Sequence, residues 1–438
     1  MHKTSSFVVC IIALCALLTP LTLAAQTCEP GWREAAAAPY VISRGQAVYY
    51  DGSIYLASGM TGTGLFLDSY VHEMLIYDIA QDSWTIGPSY DDIGWTAACM
   101  AIYDKQAMLF GGFQLPFDYL KTTMIFDINN GGWSTGAQVP TLTGGAYCAT
   151  LDDHVHVASK TIGNPYTHSV YDARKDTWNS SVAQLPAQIA YGLGATHDGL
   201  FYVVGGIEDD AASQACYAFD PDANAWIELA QMRPGRHSPA GGFAADGLLY
   251  AFAGGGAGDE LWQPHASLSI YDPDLDQWSE HADNMPHPVL GAASAYASAH
   301  GGMFVVVGGS DGTQTIDLTQ ICNLCLIDVQ RVEPETVYND EKTWVTIRGN
   351  GFEPGDEAYL SNDQGFVHFV ELEVLDADTI SALIGEGEPA GVYSLMAHSQ
   401  SGERDTLADV LEIIEPGGDD DDDDDLACGM SPMGLRSY

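Results

Sequence analysis

An aromatic residue followed by aspartate, with tryptophan seven positions after the aromatic, recurs five times along the chain. The copies are Tyr77/Asp78/Trp84, Phe126/Asp127/Trp133, Tyr171/Asp172/Trp178, Phe219/Asp220/Trp226 and Tyr271/Asp272/Trp278. The tryptophans are spaced by 49, 45, 48 and 52 residues. A period of this length marks one supersecondary unit repeated, and it overrides a domain count taken from length. Upstream of each aromatic lies a β-rich run that ends in small residues: Tyr55 to Gly59, Met108 to Gly112, Val155 to Ser159, Phe201 to Gly206, Leu249 to Gly255 and Phe304 to Gly309. Each run follows a tight-turn signal, most often Asp-Gly, as at Asp51-Gly52, Asp198-Gly199 and Asp246-Gly247. Asp-Gly between apolar strands favours a two-residue hairpin, because that turn needs positive φ.

These residues resemble the kelch repeat, a four-stranded β-propeller blade with paired glycines after its second strand and a Tyr-Asp…Trp hairpin between its third and fourth. The pairs are Gly111-Gly112, Gly205-Gly206, Gly254-Gly255 and Gly308-Gly309, with Ser58-Gly59 and Ala158-Ser159 standing in the other two copies. Six β-rich runs against five tryptophans leave one unit short of an outer strand. Trp32 stands 19 residues before Asp51, the same spacing of about 20 that separates each later tryptophan from the next turn. The resemblance therefore implies an all-β fold, a six-bladed propeller closed by the N-terminal strand, with Trp32 completing the sixth blade. By register, Cys325 to Val329 aligns with Leu75 to Ile79, so Ile327 is expected opposite Trp32 as Tyr77 is opposite Trp84.

The pattern changes after Val329. Short alternating strands, among them Val345 to Phe352, Ile380 to Ile384 and Ala390 to Leu395, read as a small β-sandwich. Thr346-Ile347-Arg348-Gly349-Asn350-Gly351-Phe352 and the later Pro389-Ala390-Gly391-Val392-Tyr393 resemble the Ig-like IPT/TIG domain, a usual spacer in bacterial surface proteins. The expected organisation is a signal peptide over residues 1–25, propeller over 26–329, Ig-like domain over 330–415 and an acidic disordered tail with Cys428 over 416–438. The signal reading rests on the apolar stretch from Phe7 to Leu23 before Ala24-Ala25. No transmembrane segment is expected after cleavage, so the protein is expected to be secreted or displayed on a bacterial surface.

Lysine plus arginine number 15 and aspartate plus glutamate 60, a formal charge of −45. A field of that sign repels phosphate backbones, so nucleic-acid binding is not expected. Seven cysteines remain outside the signal, an odd number spread along the chain, so at most one disulfide is expected. Pairing among Cys28, Cys322 and Cys325 stays open, and Cys322-x-x-Cys325 has no second pair with which to hold zinc.

Asp272, Asp274 and Asp276 alternate, as do Asp220, Asp222 and Asn224, but neither copy has the Gly and Glu of a calcium loop; turn capping is the expected role. His154 and His156 fall on one strand face, a two-imidazole geometry with no third ligand in reach by spacing. Neither metal nor cofactor is expected.

Connection lengths locate the binding face. The stretch from the paired small residues to the next aromatic, or to Ile327 in the sixth unit, spans 18, 14, 12, 13, 16 and 18 residues, while the other hairpin turns are short and uniform. Variable loops on a rigid scaffold are where binding residues tend to sit. The candidates are Arg44, Phe66, Trp95, Tyr119, Tyr166, His168, Arg236, His237, Trp262, His265 and His287. Aromatics beside a few polar groups suit a protein or glycan ligand. The alternative implied by the resemblance is an exported sugar-processing enzyme, either a sialic-acid epimerase type or a copper-radical oxidase type.

Overall fold

The computed structural model describes residues 31–61, 69–90, 94–114, 118–161, 164–257, 260–281, 284–298, 302–324, 326–363, 365–398 and 404–416. Among these residues the regular elements are all strands, and no helix is long and apolar enough to cross a membrane.

Each repeat folds into a four-stranded antiparallel sheet. The first contains Gln46–Tyr50, Ser53–Ala57, Glu73–Asp78 and Ser83–Ser89, and the second Cys99–Tyr103, Gln106–Phe110, Thr123–Asp127 and Gly132–Thr135. Tyr147–Leu151, His154–Thr161, Asn164–Asp172 and Thr177–Asn179 form the third; Leu193–His197, Leu200–Val204, Cys216–Asp220 and Ala225–Glu228 form the fourth. The fifth comprises Ala240–Phe243, Leu249–Phe252, Leu268–Asp272 and Gln277–His281. In the sixth, Ala293–Ala297, Met303–Val307 and Thr319–Asn323 are joined at the outer edge by Gly31–Ala35 from the start of the chain.

Burial explains how the sheets associate. One apolar cluster fills each gap between neighbours, and the last gap lies between the sixth sheet (Ala293, Val305, Ile321) and the first (Ile54, Leu56, Tyr77). Backbone bonds follow the same order. An N–H at or just past the end of each second strand donates to a carbonyl in the next sheet's entry segment: Gly59 to Trp95, Gly112 to Thr143, Lys160 to Ile189, Gly206 to Arg236, Gly254 to Val289 and Gly309 to Ile42, all at 2.6–3.0 Å.

The glycine pairs serve that junction. Gly111 and Gly112 have φ of 64° and 97°, Gly205 and Gly206 65° and 110°, and Gly308 and Gly309 66° and 95°. In the fifth sheet the left-handed pair is Ala253 and Gly254 rather than Gly254 and Gly255, because Gly254 makes the inter-sheet bond. In the third sheet, where Ala158-Ser159 replaces glycine, the ladder between His154–Thr161 and Asn164–Asp172 runs on through a bulge.

The tryptophan hairpins clamp the outer rims. Trp84, Trp178, Trp226 and Trp278 donate from Nε1 to the carbonyls of Ala36, Ala137, Ala183 and Ala230 at 2.9–3.0 Å. The N–H of each same alanine donates back to Asp82, Asp176, Asn224 and Asp276. Where the repeat begins with tyrosine, its hydroxyl also donates to that aspartate: Tyr77 to Asp82, Tyr171 to Asp176 and Tyr271 to Asp276. The second sheet has Phe126 for tyrosine and Gly131 for aspartate. Its Trp133 clamps Pro88, which has no N–H to satisfy. Asp272 caps its own turn by accepting from the N–H groups of Asp274 and Leu275. This is the turn role expected of the alternating aspartates.

The sixth sheet corrects the sequence register. Trp32 faces Cys322, not Ile327. The loop after Gly309 is tightened by the Asp311 carboxylate, which accepts from Thr313 and Gln314, and by an Ile316 to Gly309 backbone bond. The third strand therefore starts at Thr319. Ile327 belongs instead to a second apolar core with Val329, Val345, Ile347, Leu395 and Ile413. Cys28 and Cys325 lie outside the described residues, as do the signal segment, the acidic tail and Cys428.

That second core is held between two sheets. One contains Asp328–Glu333, Thr343–Asn350, Thr379–Ile384 and Glu371–Asp376; the other contains Thr336–Tyr338, Arg404–Ile414, Gly391–His398, Glu357–Asn362 and Gly365–His368. Alternating burial along Thr343–Asn350 and Gly391–His398 places Val345, Ile347, Tyr393, Leu395 and Ala397 inward. Asp328 and Val329, read from sequence as the end of the repeats, open the first of these strands.

Candidate functional site

The innermost strands of all six sheets surround a cavity of about 390 Å³. Small residues make it possible: Ala97, Ala98, Ala101, Gly194, Gly241 and Ala295 are among its walls. At one end, just before each innermost strand, stands one residue in the left-handed conformation. These are Arg44 (φ 57°), Ala97 (53°), Gly145 (65°), Tyr191 (61°), Ser238 (48°) and Gly291 (64°). Their backbones join in a closed cycle: Ala97 N–H donates to Arg44, Gly145 to Ala97, Tyr191 to Gly145, Ser238 to Tyr191, Gly291 to Ser238 and Arg44 to Gly291, over 2.6–3.4 Å.

This cycle is the rim of the cavity, and its side chains define the candidate site. A β-carbon at Gly145 would sit 2.5 Å from the Tyr191 ring, and one at Gly291 would sit 3.4 Å from Cγ of Arg44. Each large rim side chain thus lies over a neighbouring glycine. Burial first, then the neighbouring Tyr119, pushes the Tyr191 hydroxyl up to about 12, while the Arg44 charge pulls the other way. At neutral pH Tyr191 is therefore a phenol with a proton to donate. Among the described residues, Arg44 is the one charged side chain lining the cavity, and no carboxylate pairs with it. Among the described residues the lining includes no Asp, Glu or His.

The other sequence candidates scatter. Trp95 is buried against Tyr90, ring centroids 4.6 Å apart. His168 is buried between the third and fourth sheets, its Nδ1 2.9 Å from the Ala183 carbonyl and its Nε2 3.1 Å from Nδ1 of His156. Burial drives both imidazoles down, His156 to about 3 and His168 to about 4, so both are neutral. His156 thus pairs across the hairpin with His168, while His154 lies 3.9 Å from Asp172.

Arg236 is fully buried and donates to the Ala253 and Ser267 carbonyls and to the hydroxyls of Ser267 and Ser269. Desolvation brings its guanidinium down to about 10. His237 is buried with its ring 5.4 Å from the exposed Trp262, and His265 is half-buried nearby. Tyr166 is exposed and accepts from Gln188; His287 is exposed and bonds Glu34 at 2.8 Å. Phe66 lies outside the described residues. Of the sequence candidates, Arg44 stands on the rim, with Tyr119 close by against Gly144, and sequence reasoning missed Tyr191 and Ser238. Stacking the repeats on their turns would have found them: Arg44, Ala97, Gly145 and Tyr191 each stand seven residues before their hairpin turn, and Ser238 eight. Among the described residues, no three His, Cys, Asp or Glu side chains converge as a metal site.

Comparison with known proteins agrees with the repeat. A family model described as Kelch motif matches residues 192–233. Kelch-like protein 23 of Homo sapiens is 26% identical over 180 residues, 40% of this chain and 32% of that protein. Beta-scruin of Limulus polyphemus is 21% identical over 268 residues, 57% of this chain and 28% of that protein. The chain thus spans about a third of the length of such relatives. A solved structure titled "Structure of YjhT" superposes with a TM-score of 0.54 at 12% identity, covering 65% of this chain and 95% of that one. Motif, relatives and fold agree that the chain carries kelch repeats.

Proposed function

We propose that this protein is a secreted or surface-displayed recognition module: a six-bladed kelch propeller, closed by its N-terminal strand and spaced by an Ig-like IPT/TIG domain, that binds an acidic glycan at the rim of its axial cavity. The observation that carries the reading is Arg44, among the described residues the one cation at the mouth of a cavity in a chain of charge −45. Bidentate pairing with a carboxylate is what an arginine offers there. Tyr191 and Ser238 supply hydroxyl groups for a sugar. Arg44 and Tyr191 also hold a left-handed backbone that disfavours a β-carbon by roughly 1–2 kcal/mol. Strain of this kind, retained at a cavity mouth, is a pointer to function.

A binding role is favoured over an enzymatic one by the lining. General acid–base chemistry needs a carboxylate or imidazole within reach of the reacting atoms, and the described lining offers neither. A glycan array carrying carboxylated sugars beside their neutral counterparts, probed with the full chain, tests the proposal. Signal confined to carboxylated sugars is the expected result. Equal signal on neutral counterparts would remove Arg44 from recognition, and an empty array would remove glycans.

A further inference from the structure

Two cysteines face each other across one gap of the ring. Cys99 opens the innermost strand of the second sheet, Cys148 lies in the innermost strand of the third, and these strands are neighbours. Both side chains belong to the apolar cluster that fills this gap, with Ala101, Phe110, Val155 and Tyr171. Both also line the axial cavity and are buried free thiols. Burial first, and then the neighbouring Cys99 thiol, pushes Cys148 well above the ordinary thiol range. Sequence spacing gave no sign of this pair, because 49 residues and a whole sheet connection separate its members.

We propose that Cys99 and Cys148 are a disulfide-forming pair that cross-links the second and third sheets at the wall of the axial cavity. The chemistry is thiol–disulfide exchange with a small organic disulfide. One cysteine, as thiolate, attacks a sulfur of that disulfide, expelling one small thiolate and leaving a mixed disulfide on the protein. The second cysteine thiolate then displaces the other small thiolate. Two protein thiols are oxidised, one external disulfide is reduced to two thiols, and the two protons pass to the released thiolates. The protein sulfurs must close to about 2.05 Å across the gap their strands share.

A buried thiol that resists ionisation is a slow nucleophile. Bridge formation therefore belongs to folding or to transient opening of the sheets, before the gap is sealed. Once formed, the bridge closes a long loop in the unfolded chain, which resists unfolding.

The test is to refold the full chain in a glutathione redox buffer, and separately in excess dithiothreitol, then alkylate under denaturing conditions and map peptides without reduction. A linked Cys99–Cys148 peptide is expected from the glutathione sample alone, with a melting temperature several degrees above the reduced sample. Cys99→Ala should leave Cys148 alkylated and abolish the redox dependence of melting. Recovery of both cysteines as alkylated thiols from correctly folded, glutathione-treated protein would overturn the proposal. So would a Cys148 bridge to any other cysteine. The mapping of unmutated protein decides the matter even if the variant fails to fold.

Discussion

At the scale of single residues, the aspartate five positions after the repeat tyrosine carries more of the fold than its neighbours in the turn. Asp276 accepts from the Tyr271 hydroxyl and from the Ala230 N–H of the adjoining sheet at 2.8 and 2.7 Å. Asp276→Ala strands both donors and should cost about 1–3 kcal/mol. Asp274→Ala, two residues away on the exposed turn, should stay within about 0.5 kcal/mol of the parent. Urea unfolding of the two variants measures the contrast, and equal effects would deny the clamp. The sequence showed the tryptophans, tyrosines and turn aspartates because their spacing is fixed by one hairpin. It did not show what they grip, since Ala36, Ala137 and Ala230 are chemically featureless and lie 39 to 48 residues away.

The His156–His168 pair adds a pH dependence at the same scale. Both rings are neutral in the fold, driven down by burial to about 3 and about 4. In the unfolded chain histidine takes up its proton near pH 6.5. Below that pH the unfolded state binds more protons, so the contribution of the pair is complete above about pH 6.5 and is lost as pH falls toward 4. Melting temperature followed from pH 7 to 4 should fall, and His156→Gln, which keeps a donor toward His168, should fall less steeply. Identical slopes would place the acid sensitivity elsewhere.

Among elements, the strand Gly31–Ala35 has the largest consequence for its size. It pairs with Thr319–Asn323 through the whole register from Gly31↔Asn323 to Ala35↔Thr319. Ala36, next in the chain, is the residue clamped by Trp84 and Asp82 of the first sheet. A chain starting after Ala36 would bare a strand edge and lose the junction between the sixth and first sheets, and exposed edges recruit other chains. Size-exclusion chromatography should show aggregates in place of the parent species; an unchanged elution profile and melting temperature would contradict this. Sequence periodicity found the strand through Trp32 but misplaced its partner by five residues. The search relied on an aromatic, and the partner position holds Cys322. The rest of the rim was missed for a related reason: Arg44, Ala97, Gly145, Tyr191, Ser238 and Gly291 share a backbone conformation and a position before the turn but no side-chain chemistry.

For the whole molecule, the acidic surface and the rim arginine act together. A net charge of −45 repels small anions over a distance set by salt, about 10 Å at 0.1 M. A carboxylate held at the rim is then a local contact made against the global field, and its affinity should depend on Arg44 far more than on any other basic residue. Stability should not follow the same rule. Arg44→Gly relieves the left-handed strain while adding freedom to the unfolded chain, so its stability should lie within about 1 kcal/mol of the parent. The most direct measurement is calorimetric titration of the strongest carboxylated sugar from the array into the parent and into Arg44→Gly, with melting temperatures recorded alongside. A loss of affinity of at least about tenfold, the worth of roughly 1.4 kcal/mol, at unchanged melting temperature is the predicted result. Equal affinity in the two proteins would contradict recognition at the axial rim.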